Sequence, residues 1–368
     1  DRILAGDFLG VENFREVFFV EGAADGGFYL LGTIADTADS DLNDIYLQKV
    51  TMDGTVTDHI FEIPNSHDYP SDLVEIRNGV VAVVGTVDDE EGPVHGGDLY
   101  FAIVDLNVPD LVFSETIHKS GNDIITSIRR TDSGFLICGS SFSGDKRQMR
   151  FLRYNYDFAS SGDPSKVWDI SLDTPGLAGY GVDALMTNNN EMIILGEISI
   201  SISNVEANKN DDIYLAQVDV SNPQNPEVKS SKSIAGSRRE LALALEETES
   251  GYLVIGSTNS YGLGGYDILA LRVDPDLNYS GEISDYTIGG GGNDFSVYAR
   301  RVTQTTNGFL VAGATQSGDY NGILLALDSI GREQNLGIYD FNNGSDEVAL
   351  FARETGGNYE LVGISGIL

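Results

Sequence analysis

Ser250-Gly251-Tyr252-Leu253-Val254-Ile255-Gly256 is one copy of a phrase that returns along the whole chain: a turn, a large apolar residue, three mostly apolar residues, then glycine. The other copies are Phe28-Tyr29-Leu30-Leu31-Gly32, Val81-Ala82-Val83-Val84-Gly85, Phe135-Leu136-Ile137-Cys138-Gly139, Met192-Ile193-Ile194-Leu195-Gly196, Phe309-Leu310-Val311-Ala312-Gly313 and Tyr359-Glu360-Leu361-Val362-Gly363. The anchor glycines are 53, 54, 57, 60, 57 and 50 residues apart, which makes seven units. Apolar runs this short, with turn residues on their flanks, read as strands buried on both faces. Asn78-Gly79, Ser133-Gly134, Ser250-Gly251 and Asn307-Gly308 precede their copies as tight hairpin turns with the strand before.

Each unit holds more than that hairpin. Upstream lies a strand such as Ile124 to Arg129 or Leu241 to Glu246. Downstream comes an apolar strand opened by aspartate at Asp44, Asp98, Asp212 and Asp267, and a more polar fourth strand, as at Val56 to Ile63 or Glu282 to Ile288. Four antiparallel strands repeated at about fifty residues are propeller blades, since such units bury their faces only by stacking. The expectation is an all-β chain folded as a single seven-bladed β-propeller. Its blades span approximately 11–63, 68–118, 122–172, 181–235, 239–288, 293–341 and 345–368. Too little chain follows Gly363 for two more strands. Residues 1–10, through Leu4 to Gly10, are therefore expected to complete the last blade and close the ring.

The phrase from Ser250 to Ser260, continued by Gly264-Gly265-Tyr266-Asp267-Ile268 and Gly290-Gly291-Gly292-Asn293-Asp294, resembles the bacterial secreted β-propeller repeats of the SBBP type. The likeness runs through all seven units and is weakest in the third. It implies a propeller fold and an exported address, as in secreted proteins and lipoproteins of Gram-negative bacteria. It implies no catalytic residue, because the pattern consists of turn and core positions.

Charge narrows the function classes. The chain of 368 residues carries 57 acidic and 22 basic residues, a net charge of −35. That argues against nucleic acid and against anionic lipid surfaces, both of which need clustered Lys and Arg. The single cysteine, Cys138, excludes an intrachain disulfide. It takes a small apolar position in its repeat and is expected to be buried and inert. No apolar run reaches the length of a membrane helix. The N-terminal residues Asp1 to Gly6 lack a signal-peptide core, so the expectation is either a cytosolic protein or one whose targeting segment was removed ahead of this numbering.

Candidate chemistry is sparse. His59, His67, His95 and His118 lack helical spacing for a zinc site. Asp39, Asp41 and Asn43 place oxygens at alternate positions, as a calcium loop does, but the glycine and glutamate that complete such a loop are missing. Gly289 to Asp294 matches a calcium nonapeptide in one copy only, whereas that motif works in tandem. Ser143 and Lys146 have the S-x-x-K spacing but fall in a loop. Calcium at the acidic loops is the one cofactor the sequence allows. The recurrent strand-opening aspartates read as structural, fixing loops through backbone N–H groups.

One distribution departs from this background. Nine of the 15 arginines lie on or beside the first strands of the units, which in a propeller surround the central channel. Acids such as Asp72, Asp123, Asp183 and Glu240 lie near them. Arg77, Arg129, Arg300 and Arg353 are the candidate ligand-binding residues, able to fork onto a carboxylate or sulfate; the alternative is that neighbouring acids such as Glu75, Asp123 and Glu354 occupy them. The function expected is a non-catalytic exported binding or scaffold module, monomeric, without a transmembrane segment, taking an anionic glycan or a protein partner at the central funnel. The alternative is a polysaccharide-active enzyme, a glycoside hydrolase or lyase, using a carboxylate pair in the funnel.

Overall fold

The structure, a computed structural model, describes residues 14–35, 42–61, 66–89, 97–108, 110–118, 123–143, 146–159, 162–176, 178–188, 190–199, 211–289, 293–295, 302–316, 320–339 and 347–365. The chain divides into two compact units, Asp1–Ile125 with Phe158–Asp163, and Thr126–Asp157 with Pro164–Leu368.

The first unit holds two antiparallel meanders in chain order. One is β1 (Phe14–Gly22), β2 (Phe28–Ala35), β3 (Asn43–Val50) and β4 (Val56–Phe61); the next is β5 (Ser66–Arg77), β6 (Val80–Asp89), β7 (Gly97–Asp105) and β8 (Asp110–Ile117). Leu31, Ile45 and Leu47 of the first pack with Leu73, Val83 and Ala102 of the second in one buried cluster.

The second unit continues the pattern. Strands β9 (Ile124–Thr131), β10 (Gly134–Ser143), β11 (Lys146–Asn155) and β12 (Ser165–Leu172) precede β13 (Ala178–Asn188), β14 (Glu191–Ser199), β15 (Asp211–Asp219) and β16 (Glu227–Ile234). Then come β17 (Glu240–Thr248), β18 (Gly251–Thr258), β19 (Asp267–Val273) and β20 (Thr287–Ile288). The five-stranded sheet of β21 (Asn293–Phe295), β22 (Thr303–Gln304), β23 (Gly308–Gln316), β24 (Tyr320–Asp328) and β25 (Glu333–Tyr339) follows, and the hairpin of β26 (Glu347–Thr355) and β27 (Asn358–Ser365) ends it.

Alternate residues of one strand serve opposite neighbours. Met192 and Ile194 pack against β10 and β11, whereas Ile193 and Leu195 pack against β17, β18 and β19. Ile255 and Leu253 likewise face Val311 and Leu325, while Val254 faces Ile213 and Leu215. Strands buried on both faces explain the unbroken apolar runs of the repeat. Successive meanders stacked face to face are β-propeller blades.

The blade count departs from expectation. Among the described residues four sheets of blade size stand alone, three of four strands and one of five, rather than seven. The third and fourth repeats form one eight-stranded sheet, because a parallel pairing of Arg147 with Ala178 joins β11 to β13. The Arg147 guanidinium also lies between the Phe142 and Tyr180 rings, 4.4 and 4.6 Å from their centroids, a cation–π sandwich across that seam. The seventh repeat contributes a two-stranded sheet. Residues 1–10 and the ring closure assigned to them lie outside the described residues.

A second departure is local. Glu282 to Ile288 is not one strand: Ile283–Tyr286 forms a 3₁₀ turn and only Thr287–Ile288 pairs as a strand. Ile283 and Tyr286, three residues apart, both turn inward from that short helix. Glu282 and Asp285 cap it reciprocally.

The anchor glycines have a common cause. Opposite Gly32, Gly85, Gly196, Gly256 and Gly363, the first strand of the meander carries a β-bulge. The bulge pushes a backbone carbonyl into the space a side chain would need: a Cβ on Gly85, Gly196, Gly256 or Gly363 would lie 2.5, 2.3, 2.3 or 2.4 Å from the oxygen of Tyr69, Tyr180, Leu241 or Val348. Only a residue without Cβ fits there. Cys138 is buried among Leu136, Met149 and Phe151, the setting of an inert thiol.

Candidate functional site

Two polar clusters stand out within the second unit, and the first is built by first strands of consecutive repeats. In the first, Arg129 on β9 reaches across β13 to β17. Its Nε donates to Asp183 Oδ1 at 2.7 Å and its Nη2 to Asp183 Oδ2 at 2.5 Å. Nη2 also meets Glu246 Oε1 at 2.9 Å and the Leu245 carbonyl at 2.6 Å. The side chains of Arg129, Asp183 and Glu246 are 16%, 5% and 11% exposed. The bulge between Gly181 and Asp183 re-aims Asp183 into this position. Its carboxylate also accepts the amides of Ala184 and Leu245, both at 2.9 Å. Burial opposes the charge of Arg129, but the two carboxylates outweigh it and hold the guanidinium protonated well above its ordinary value. Beside this clamp, Thr126 Oγ1 and Ser127 Oγ donate to the carbonyls of Gly181 and Val182, each at 2.8 Å. The carbonyls displaced by the bulge are thereby satisfied from the neighbouring first strand.

The second cluster is acidic. Glu197 on β14, Asp211 and Asp212 at the start of β15, and Glu240 at the start of β17 lie close enough to influence one another. Burial raises the Glu197 carboxyl to about 7, and Asp211 adds to the rise; the amide of Ala242, 2.9 Å from Oε1, and Arg239 oppose it. Glu240 is fully buried and raised by burial, although Gly236 N and Thr258 Oγ1 both bind its carboxylate. Arg239 Nε pairs with Asp211 at 2.7 Å. A carboxyl held near neutrality can donate a proton, so Glu197 has an acid–base capability with a physical cause.

Glu197 yields a pH test. Its folded value lies above the ordinary 4.5, so the stabilising neutral form is complete below pH 4.5 and is lost as pH rises through about 7. Glu197→Gln keeps an oxygen for the Ala242 amide and removes the titration. It should melt at a higher temperature than the parent at pH 8, by about 2 to 3 kcal/mol of stability, and level with it near pH 4.5. Parallel melting curves for parent and variant across that range refute the assignment.

The sequence candidates fall out unevenly. Arg129 joins Asp183 and Glu246, not Asp123. Arg353 binds Glu360 on the adjacent strand, with Nε to Oε2 at 2.6 Å. Glu75 is occupied by Tyr29 OH at 2.7 Å and the Ala24 amide at 2.6 Å, and no arginine is among these partners. Arg77 is exposed at the end of β5 and has no ion-pair partner among the described residues. Arg300, Asp39 and Asp41 lie outside the described residues, and Asn43 opens β3. Among the described residues, no group of three or more His, Cys, Asp or Glu is arranged to hold a metal ion. No described helix is long and apolar enough to cross a membrane.

One recurrent residue escaped the sequence reading. Asp105, Asp219 and Asp328 close the third strand of their repeats and Asp274 directly follows its own, and each Oδ1 accepts the amide two residues on. Asp274-Pro275-Asp276-Leu277-Asn278 has the alternating oxygens of a cation loop, yet Asp274 is engaged by the amides of Asp276 and Asn278 in an Asx turn, with Leu277 at φ 64°. The strand-opening aspartates act similarly: Asp267 accepts the Leu263 amide at 2.9 Å.

No family model matches the chain, and no curated protein matches it. Among solved structures it is similar to the β-propeller domain of the Trilobed protease from Pyrococcus furiosus, at 11% identity over 95% of this chain and 93% of that one, with a TM-score of 0.49. It is also similar to Synechocystis apocarotenoid oxygenase, at 10% identity over 87% and 74% of the two chains, TM-score 0.44. The N-terminal domain of Nup159 is similar at 12% identity over 88% and 76%, TM-score 0.40.

Proposed function

We propose that this chain is a non-catalytic, exported propeller module that binds a glycan or a protein partner. The observation that carries the proposal is the Arg129 clamp. The charged group best placed to act on a ligand from the first strands is consumed by Asp183, Glu246 and a backbone carbonyl. It holds three consecutive repeats together instead, which is the work of a scaffold. Export rests on the resemblance of the repeats. Recognition of an anionic ligand falls to Arg77, which is exposed and has no ion-pair partner among the described residues.

A thermal-shift screen against acidic and neutral glycans, with and without calcium, tests this proposal, because a ligand of the native state must raise the melting temperature. A rise with a uronate or sulfated glycan that Arg77→Ala abolishes is the expected result. Glu197 supports a second reading, a glycoside hydrolase or lyase with this carboxyl as proton donor. Release of new sugar ends from any glycan, abolished by Glu197→Gln, would replace the first reading with the second.

A further inference from the structure

We infer that Asn307–Gly308 is a site of spontaneous covalent ageing, at which the asparagine side chain converts to aspartate or isoaspartate in the folded protein. The reaction needs the Gly308 nitrogen to attack the Asn307 Cγ carbonyl. A bond forms from that nitrogen to Cγ, the Cγ–Nδ2 bond breaks, and ammonia leaves. Water then opens the cyclic imide on either side. The step needs no enzyme, only an exposed side chain able to turn onto the next residue, and glycine there offers no side chain to block it.

Three Asn–Gly steps lie within the described residues, and the fold treats them differently. Asn78–Gly79 is locked. The Asn78 Oδ1 accepts Lys49 Nζ, its carbonyl accepts Asn107 Nδ2 at 3.0 Å, and the attacking nitrogen of Gly79 is engaged by Tyr29 OH at 3.0 Å. Asn321–Gly322 is held extended inside β24, with Asn321 opposite Thr315 and Gly322 paired to both Ala314 and Tyr339. Asn307 is exposed in the three-residue connection Thr305-Thr306-Asn307 between β22 and β23, and its side chain has no hydrogen-bond partner among the described residues. A backbone bond from Thr305 N to Gly308 O, 2.7 Å, closes that turn. An isoaspartate adds a methylene to the backbone within this ring, so conversion should open the turn and loosen the short strand β22. The change also adds a negative charge to an already acidic chain.

Folded protein held at mildly alkaline pH and digested at intervals gives the test, with mass spectrometry reading the one-dalton gain at each asparagine. The Asn307 peptide should convert on the order of tenfold or more faster than those of Asn78 and Asn321, whose conversion must wait for local opening. In urea the three rates should draw together. Asn78 or Asn321 converting as fast as Asn307 in the folded protein overturns the inference. So does an Asn307 that stays intact when folded yet converts in urea.

Discussion

Gly256→Val should cripple folding, whereas Ser250→Ala six residues earlier should leave the melting temperature nearly unchanged. The valine Cβ would start 2.3 Å from the Leu241 carbonyl oxygen and 3.2 Å from Ile213 Cδ1. The first obstacle is backbone held by its own ladder, with Ala242 opposite Gly256 and Ala244 opposite Ile255, so it cannot swing aside as a side chain could. Relief would require flattening the bulge between Ala242 and Ala244. That would shift every later residue of β17 to the wrong face of the sheet. The two γ-methyls would then crowd a core already filled by Leu245, Val254 and Leu269. Overpacking of this kind costs about 1–3 kcal/mol even where the backbone can relax, so about 3 kcal/mol or more is expected here. Ser250 is an exposed turn residue, and its replacement should stay within about 0.5 kcal/mol. Thermal melts of the two variants beside the parent decide the matter; equal midpoints would mean that the anchor glycine is merely small.

Much of the architecture was legible because it repeats. Tyr252 to Gly256 reads as a buried strand from its apolar run, and six more copies remove the ambiguity that one short run always carries. The anchor glycines were visible as a pattern, but their cause was not. A bulge is a property of two strands in register, and nothing in Leu241-Ala242-Leu243-Ala244 alone announces it. The expected strand at Glu282 to Ile288 failed for a related reason: inward-facing Ile283 and Tyr286 fit either period over so few residues. Merging of the third and fourth repeats turned on a single parallel pairing at Arg147 and Ala178, again invisible to periodicity.

The candidate site was less legible than the fold. Arginines on first strands could be counted, and Asp183 could be named as a nearby acid, but their pairing depends on how three strands sit side by side. Glu197 carried no signal at all. Its neighbours Asp211 and Asp212 lie fourteen and fifteen residues away in sequence, and burial raises its affinity for a proton.

Arg129→Met should destabilise the protein by about 3–5 kcal/mol, the cost of leaving buried carboxylates without their cation. Methionine keeps much of the volume, so the loss is electrostatic rather than a cavity. Asp183 would retain the Ala184 and Leu245 amides, but Glu246 and the Leu245 carbonyl would lose the donor that reaches them from β9. Both carboxylates would be left in a site where they are only 5% and 11% exposed, with too little water to replace the lost cation. Arg129→Met combined with Asp183→Asn and Glu246→Gln should recover part of the loss, because neutral amides remove the uncompensated charge while keeping the shape. Coupling of 1 kcal/mol or more between these positions, on the order seen for residues in one buried network, is the expected cycle result. If the three substitutions instead add independently, or if Arg129→Met melts with the parent, the clamp is not what holds β9, β13 and β17 together. Arg129 would then be free to serve a ligand after all.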